Sequence, residues 1–325
     1  MGIIAATMRI LLIKTSSLGD VVHNLPIVTD IRHHHPEAGI DWVVEEGFAD
    51  IPRLHPGVSR VIPVSIRRWR KSIFSANTWR EMAAFRRELR TDQYDVVLDT
   101  QGLIKSALIA RRVALAVNGR RLGHSAESAR EPFAARFYDA GFAIPKTAHA
   151  VERNRWLAAA AFDYQLEGDL DYGICTAPLQ ASWLPTKPYA VLLTGTSRAD
   201  KLWPEADWIK LAITLKMTVV LPSGNAEERE RAQRLANNIP DAIVAPPLAI
   251  RELSGLLAGA KIVVGVDTGL THLAAALNKP TVAIFAGSDP ELTGVHAGPL
   301  AVNVGRKGAP PTADEVQAVV KRLLK

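Results

Sequence analysis

The segment "KIVVGVDTGLTHLAAALNKP" (Lys261 to Pro280) begins with an apolar run typical of a buried strand, passes through a short turn and ends in a helix pattern. Asp267, Thr268 and Gly269 fall at the junction, where unpaired amides and the positive end of the helix dipole favour a phosphate. Gly269 would let the backbone approach a ligand closely, and His272 follows near the same helix end. An ordinary helix cap by Asp267 or Thr268 would explain the same pattern.

The same alternation of short β-rich runs and longer helical patterns continues along the whole chain, which indicates an α/β fold with parallel sheets. Its strands are near-continuous in Val, Ile and Leu, as expected when helices cover both faces of a sheet. The predicted strands are "RILLIK", "IDWVVE", "RVIPV", "DVVLDT", "YAVLLTG", "MTVVLPSG", "AIVAP", "KIVVGVD" and "TVAIFAG".

The length of 325 residues accommodates two domains. The stretch from Leu166 to Pro188 is rich in Gly, Pro and short polar residues, and we interpret it as an interdomain linker. We therefore predict two Rossmann-like domains facing a central cleft. Their bounds are 1–172 for the first domain, 173–188 for the linker, 189–310 for the second domain and 311–325 for a C-terminal helix.

Composition restricts the compartment in which the protein works. No apolar run reaches the roughly 18 to 20 residues of a membrane-spanning helix. The opening "MGIIAATMRILLIK" lacks a basic start and a small-residue cleavage site, so we interpret it as a core strand rather than a signal peptide. The single cysteine, Cys175, excludes an internal disulfide framework. These features predict a cytoplasmic protein.

The net charge of +6 is unevenly distributed, and "IRRWRK" (Ile66 to Lys71) is the densest basic cluster. A solvated basic face would explain it. The alternative is an anionic partner, which could be nucleic acid, anionic lipid or a phosphorylated substrate.

Two further loops follow predicted strands of the second half. In "LLTGTSRADKLWP", Thr196, Ser197 and Lys201 could neutralise a diphosphate through hydroxyl donors and a mobile charge. In "PSGNAEERE", Glu228 could accept hydrogen bonds from ribose hydroxyls, or could stabilise its own helix. Neither a P-loop nor a GxGxxG fingerprint is present, which argues against a nicotinamide enzyme. All three loops should meet at the carboxyl edge of one parallel sheet, where such folds bind ligands.

The first half contributes a carboxylate in "LLIKTSSLGDVVHNLP" (Leu11 to Pro26), where Asp20 opens a helix pattern. A carboxylate would repel a phosphate placed directly on it. Opposite a sugar attached to that phosphate, Asp20 could instead remove a proton from an attacking hydroxyl. Simple capping of the helix after Gly19 is the alternative.

A set of segments, in order from about Met8 to the C-terminal helix, resembles glycosyltransferase family nine, the bacterial lipopolysaccharide heptosyltransferases. The segments are "KTSSLGDVVHNLP", "DWVVEEGF", "IRRWRK", "DTQGLIKSALIARR", "AREPFAARFY", "HAVERNR", "DKLWP" and "VDTGLTHLAAAL". Within the family, "DWVVEEGF" with "IRRWRK" resembles the enzymes that add the first heptose.

The resemblance implies a GT-B fold and inverting, metal-independent transfer of L-glycero-D-manno-heptose from ADP-heptose to the first Kdo of Kdo-lipid A. It implies no cofactor, and a peripheral location on the cytoplasmic face of the inner membrane, against its anionic surface. The implied general base is Asp20, and the implied catalytic cation is Lys201. The donor would contact Thr196, Ser197, Lys201, Glu228, Asp267, Thr268, Gly269 and His272. The acceptor would contact Arg67, Arg70, Lys71 and Arg130.

Other functions would explain part of the pattern. Heptosyltransferase II or another GT-B nucleotide-sugar enzyme, such as an epimerase, would share the phosphate loops. A nucleic-acid-binding protein would explain the basic clusters but not Asp20 or the converging loops, and no known nucleic-acid motif is evident. We therefore predict no nucleic-acid partner. No metal site is predicted either, because the run His33-His34-His35 has no convergent carboxylate.

Overall fold

The computed structural model describes residues 7–325, which form two compact units that divide between Gly173 and Ile174. This division falls within the Gly- and Pro-rich stretch Leu166 to Pro188, which contains neither helix nor strand. The predicted opening strand begins as β1 at Arg9; the earlier part of that prediction, residues 1–6, lies outside the described residues.

The first unit contains one six-stranded parallel sheet, and the apolar residues of its central strand are fully buried. Four of its strands confirm sequence predictions, whereas the fifth and sixth were not predicted. The strands are β1 (Arg9–Ile13), β2 (Gly39–Glu45), β3 (Arg60–Val64), β4 (Tyr94–Asp99), β5 (Leu115–His124) and β6 (Ala140–Phe142), in the spatial order β3-β2-β1-β4-β5-β6.

The helices of the first unit are α1 (Leu18–Val22), α2 (Pro26–His34), α3 (Asp50–Arg53), α4 (Ile66–Lys71), α5 (Ala76–Glu88), α6 (Ile104–Ala110) and α7 (Ala150–Phe162). Short 3-10 helices lie at Glu46–Phe48 and Pro132–Phe137. The segment from Gly19 to Pro36 has a helical pattern throughout, but it forms two helices in the structure. The break occurs because Pro26 has no N–H to donate within a helix and therefore begins a new one.

The second unit repeats the arrangement with a second six-stranded parallel sheet. Five of its strands were predicted, and the last was not. The strands are β7 (Tyr189–Leu193), β8 (Thr218–Leu221), β9 (Ala242–Val244), β10 (Ile262–Val266), β11 (Thr281–Phe285) and β12 (Ala301–Gly305), in the order β12-β11-β10-β7-β8-β9.

The helices of the second unit are α8 (Glu205–Leu215), α9 (Ala226–Ala236), α10 (Ile250–Gly259), α11 (Gly269–Ala276), α12 (Pro290–Thr293) and α13 (Ala313–Leu323), with a short 3-10 helix at Ala199–Lys201. The tail forms α13, and Thr312 caps it: its hydroxyl accepts from the backbone N–H of Glu315. No helix among residues 7–325 combines the length and the apolar character that a membrane-spanning segment requires.

Each sheet changes direction of winding between two central strands, β1 and β4 in the first unit and β7 and β10 in the second. Strands on either side of such a point send their connections to opposite faces, which leaves a crevice at the carboxyl edge. The loops after β1 and β4 therefore meet in the first unit, as do the loops after β7 and β10 in the second.

Candidate active site

Asp20 lies in the first turn of α1, and one of its two carboxylate oxygens is already engaged. Its Oδ2 accepts hydrogen bonds from the backbone N–H of Ser17 at 2.7 Å and from the Ser17 hydroxyl at 2.9 Å. Ser17, not Asp20, is the N-cap residue of this helix, but Asp20 at position N3 completes a capping box with Ser17, so it does help to cap the helix. No residue in the described range 7–325 donates to Oδ1, which leaves this oxygen able to accept a proton from a substrate.

A cavity of about 750 Å³ surrounds Asp20 and is contained within the first unit. We call it the Asp20 cavity; it is lined by Ser16, Ser17, Asp20, Arg70, Gln101, Leu103, Ile104, Lys105, Leu108, Arg130 and Glu131. The structure thus brings together three residues predicted from the sequence, namely the base candidate Asp20 and the acceptor candidates Arg70 and Arg130.

The other two predicted acceptor cations, Arg67 and Lys71, do not line the Asp20 cavity. They line a smaller cleft of about 370 Å³ that also includes Glu45 and Glu46. Arg70 lines the Asp20 cavity and Arg67 lines the cleft, although three residues along α4 separate them by only about 60° around the helix axis. The guanidinium of Arg67 lies over the ring of Phe48, at 5.2 Å from its centroid.

Two residues of the Asp20 cavity were missed by sequence reasoning, Gln101 and Lys105. The Gln101 side chain holds the loop after β1, because its Oε1 accepts from the backbone N–H groups of Thr15 at 3.0 Å and Ser16 at 3.2 Å. Lys105 donates to the Ser16 hydroxyl at 3.2 Å. Burial lowers the pKa of Lys105, and the neighbouring Arg67 guanidinium adds to that decrease. The sequence does contain a signal for Gln101 and Lys105: the segment "DTQGLIK" continues from the end of a predicted strand and should therefore lie at the carboxyl edge of the sheet.

Two buried residues with ionisable side chains, Lys14 and Asp99, form hydrogen bonds that hold the loops after β1 and β4. Lys14 donates to the carbonyl oxygen of Thr100 at 2.9 Å, so it ties the loop after β1 to the loop after β4. Burial lowers the pKa of Lys14, and the Asp20 carboxylate partly offsets that effect. Burial raises the pKa of Asp99, whose carboxylate accepts from the Tyr138 hydroxyl at 2.7 Å and from the backbone N–H of Gln101 at 2.8 Å.

In the second unit, the carboxylate of Asp267 is the centre of a polar cluster. It accepts a hydrogen bond from Lys201 Nζ at 2.6 Å and another from the Ser288 hydroxyl, and His272 Nε2 lies 3.4 Å from its second oxygen. Burial by itself raises the pKa of Asp267, but the hydrogen bonds from His272, Lys201 and Ser288 outweigh it. The pKa of Asp267 therefore lies well below its ordinary value. Ser288, in the loop after β11, was not predicted from the sequence.

The predicted phosphate residues lie around this cluster. The Thr196 hydroxyl donates to the Asp267 carbonyl oxygen at 3.2 Å, and Ser197 is exposed on the same loop. Thr268 is the N-cap residue of α11, but its side chain makes no capping hydrogen bond, and Gly269 is the first helical residue. Capping by Asp267 is therefore ruled out, and the Thr268 hydroxyl is available to a ligand.

Glu228 lies in the first turn of α9 and contacts the loop after β7. Its Oε2 accepts from the backbone N–H of Gly224 at 2.7 Å, so it does stabilise its own loop. It also packs against Gly195, where an added Cβ would lie 2.5 Å from the Glu228 carboxyl carbon. The three loops predicted to converge, after β7, β8 and β10, do converge, and the loop after β11 joins them.

Within the described residues 7–325, no group of three or more His, Cys, Asp or Glu side chains is arranged to hold a metal ion. Arg and Lys side chains carry positive charge in both polar sites.

Comparison with known proteins identifies the family. The model of glycosyltransferase family 9 (heptosyltransferase) matches residues 82–319. The chain belongs to glycosyltransferase family 9. Lipopolysaccharide heptosyltransferase 1 of Pseudomonas aeruginosa is 47% identical over 293 residues, which cover 89% of this chain and 81% of that protein.

Two solved structures of the E. coli heptosyltransferase WaaC share the fold of this family 9 enzyme. The complex with ADP is 40% identical with a TM-score of 0.88, covering 97% of this chain and 100% of that one. The complex with ADP-2-deoxy-2-fluoro heptose is 41% identical with a TM-score of 0.84, covering 97% and 99%. The predicted family and GT-B fold class are thereby confirmed, and the chain is a glycosyltransferase.

Proposed function

We propose that this family 9 glycosyltransferase transfers L-glycero-D-manno-heptose from ADP-heptose to the first Kdo of Kdo-lipid A, in assembly of the lipopolysaccharide inner core. The similarity to a lipopolysaccharide heptosyltransferase 1 supports this reaction. The observation on which the proposal rests is the Asp20 cavity, in which a carboxylate with an unoccupied oxygen lies among three cations, Arg70, Lys105 and Arg130. This set of groups suits an acceptor that is anionic and carries a reactive hydroxyl.

The donor is assigned to the second unit. A complex of WaaC with a fluorinated ADP-heptose supports ADP-heptose as the donor. In this proposal Lys201 and the hydroxyls of Thr196, Ser197 and Thr268 hold the diphosphate, together with the amide of Gly269. Glu228 contacts the nucleoside, and Asp267 and His272 position Lys201.

The acceptor is assigned to the first unit. Arg forms forked hydrogen bonds with carboxylate and phosphate, and both groups occur on Kdo-lipid A. We assign direct acceptor contacts to Arg70, Arg130 and Lys105 in the Asp20 cavity. Arg67 and Lys71, in the neighbouring cleft, would contact more distant phosphates of the same molecule.

We propose an inverting reaction. The acceptor hydroxyl attacks C1 of the heptose, the bond between C1 and the diphosphate oxygen breaks, and ADP leaves with the electron pair. The proton of the hydroxyl passes to Oδ1 of Asp20. A carboxylate is a weak base toward a hydroxyl, so this step requires that C1 first gain oxocarbenium character. Lys201 and the α11 amides stabilise the charge that grows on ADP, which gives a route that needs no metal ion.

The enzyme would work in the cytoplasm, held peripherally on the inner membrane. The acceptor is anchored there by its acyl chains, and basic residues are attracted to an anionic leaflet at roughly 1 kcal/mol each. The exposed basic residues of α4 and α5 in the first unit are the candidates for this contact.

The proposal is tested by measuring ADP release from ADP-heptose in excess EDTA, with and without Kdo-lipid A. We expect release that depends on the acceptor and persists in EDTA. Release with a heptosylated core instead of Kdo-lipid A would assign heptosyltransferase II activity. Release without any acceptor product would indicate another nucleotide-sugar enzyme, such as an epimerase.

The matched variant Asp20→Asn keeps the size of the side chain and removes the base. We expect it to bind ADP-heptose as the wild type does and to lose at least about a hundredfold in turnover, the low end for removal of a general base. Near-normal turnover in this variant would exclude Asp20 as the base.

A further inference from the structure

An apolar cavity of about 290 Å³ lies in the first unit, between α4, α5 and α6. Its walls include the side chains of Trp69, Ile73, Met82, Phe85 and Leu108, and we call it the apolar cavity. Ile73 remains 49% exposed although it belongs to this wall. Water in such a space finds few hydrogen-bond partners, so an apolar ligand would replace it favourably.

The rim of the apolar cavity is cationic. Arg70, Arg86, Lys105 and Arg112 line it, and no acidic residue of the range 7–325 does; the Glu81 carboxylate lies behind the wall, where it accepts from the Trp69 indole N–H. Arg70 and Arg86 form no ion pair with any residue in the range 7–325. An uncharged partner would gain nothing from these side chains, whereas an amphiphile with anionic groups beside its apolar part would neutralise them.

The apolar cavity adjoins the Asp20 cavity, because Arg70, Lys105 and Leu108 line both. A molecule that places its reactive hydroxyl near Asp20 and its anionic groups on Arg70 and Lys105 can extend an apolar segment past Leu108. Both cavities belong to one compact unit, so this continuity is a property of the first unit alone.

We propose that the apolar cavity binds one acyl chain of the lipid acceptor while the sugar end of the same molecule occupies the Asp20 cavity. This inference rests on the proposed function, which supplies an acceptor that is at once anionic and acylated. Charge complementarity at the rim and the shared wall select this occupant over a free hydrocarbon, which has no charge for Arg70 and Arg86. Each methylene group that enters the cavity contributes about fourfold in affinity, equivalent to about 0.8 kcal/mol.

The first test compares two acceptors, acylated Kdo-lipid A below its micelle-forming concentration and the same sugar phosphate with its acyl chains removed. The variant Ile73→Thr/Met82→Gln makes the cavity polar with little change in volume, and neither residue lines the Asp20 cavity. The control Ile213→Thr changes a residue of the second unit that is similarly exposed, at 56%.

We expect the variant to raise KM for the acylated acceptor at least about tenfold, the effect of losing a few buried methylene groups. It should leave KM for the deacylated acceptor and kcat for both within about twofold of the wild type, as the control should for every constant. An equal rise in KM for both acceptors, or no rise for either, would overturn the proposal.

The second test needs no turnover and therefore separates this inference from the proposed function. Trp69 lies in the cavity wall, so its fluorescence should change when a long-chain alkyl phosphate binds, but not when inorganic phosphate does. The change should be absent in Trp69→Phe and weakened in Ile73→Thr/Met82→Gln. If the long-chain alkyl phosphate causes no change in fluorescence, the acyl site does not exist, even if heptose transfer is established.

A bilayer is the competing occupant, and vesicles of anionic lipid without acceptor distinguish it. We expect the wild type and Ile73→Thr/Met82→Gln to bind such vesicles equally. If the variant loses vesicle binding in parallel with its rise in KM, the apolar cavity is a membrane contact and the acyl-chain proposal is wrong.

Discussion

At the scale of single residues, the second unit depends on Asp267 as a charge partner for Lys201. This carboxylate lies 2.6 Å from the Lys201 ammonium and neutralises it. In the proposed function the diphosphate of the donor competes for the same cation, which would give Asp267 a positioning role. Removing one partner of a buried ion pair leaves the other uncompensated.

We predict that Asp267→Asn lowers the free energy of unfolding at pH 7 by about 2 kcal/mol, the usual cost of an unsatisfied buried charged hydrogen bond. The pKa of Asp267 is depressed in the folded state, so its stabilisation is complete above the unfolded value. It is lost as the pH falls from about 4 toward the lower folded pKa, because only the unfolded chain then binds the proton. The measurement is urea unfolding at pH 7 and at pH 3, followed by tryptophan fluorescence.

The control for this prediction is Asp200→Asn, which removes an exposed carboxylate that pairs with Arg198 on the neighbouring loop. Exposed pairs contribute little, so its stability should match the wild type at both pH values. If the free energies of unfolding of the wild type and Asp267→Asn differ by the same amount at pH 7 and at pH 3, the depressed pKa of Asp267 is contradicted.

At the scale of elements, the proposed donor site is built by loops that leave the carboxyl edge of the second sheet. Two of these segments approach each other closely at Gly195, after β7, where the Glu228 side chain of α9 occupies the space of a Cβ. Glycine is required there because the two loops approach each other closely, not because the backbone is strained.

We predict that Gly195→Ala displaces the Glu228 carboxylate from the Gly224 amide and weakens ADP binding about tenfold, a loss of about 1.4 kcal/mol. Calorimetric titration with ADP measures this effect. The control is Gly39→Ala, since a Cβ at Gly39 has no neighbour within 4 Å. Unchanged ADP affinity in Gly195→Ala would mean that the position of Glu228 does not matter to the nucleotide.

At the scale of the whole molecule, the uneven basic charge is the property that bears on the membrane. The net charge is +6, and α5 exposes several Arg side chains that face no described acidic partner, Arg80 and Arg87 among them. Such residues act together, because a charged leaflet attracts each of them within a Debye length of its surface.

We predict that the protein sediments with anionic vesicles at low ionic strength and is released at about 1 M salt, where the Debye length falls to about 3 Å. Arg80→Gln/Arg87→Gln should weaken this binding about tenfold or more, at roughly 1 kcal/mol for each residue. The matched control is Arg306→Gln/Lys307→Gln in the second unit. Failure of the wild type to sediment at low salt would exclude the proposed peripheral location.

Much of the fold follows from the sequence by itself. The strands β1 to β4 and β7 to β11, which are mostly buried apart from the half-exposed β9, were predicted, because hydrophobic periodicity is a local property of the chain. The unpredicted strands β5, β6 and β12 are largely half-exposed, so they lack the continuous apolar run of a central strand. Asp20 and the phosphate loops were found for a related reason: they directly follow apolar strands.

The tertiary structure alone decided which of those residues work together. It brought Gln101 and Lys105 into contact with the loop before Asp20, and Ser288 into contact with Asp267. The residues in each of these contacts are 21 or more positions apart in the sequence. It also separated Arg67 and Lys71 from Arg70, although these residues are neighbours in the chain. The reason is physical: a strand or helix is determined by local pattern, whereas the pairing order of strands and the direction of a side chain depend on packing between distant segments.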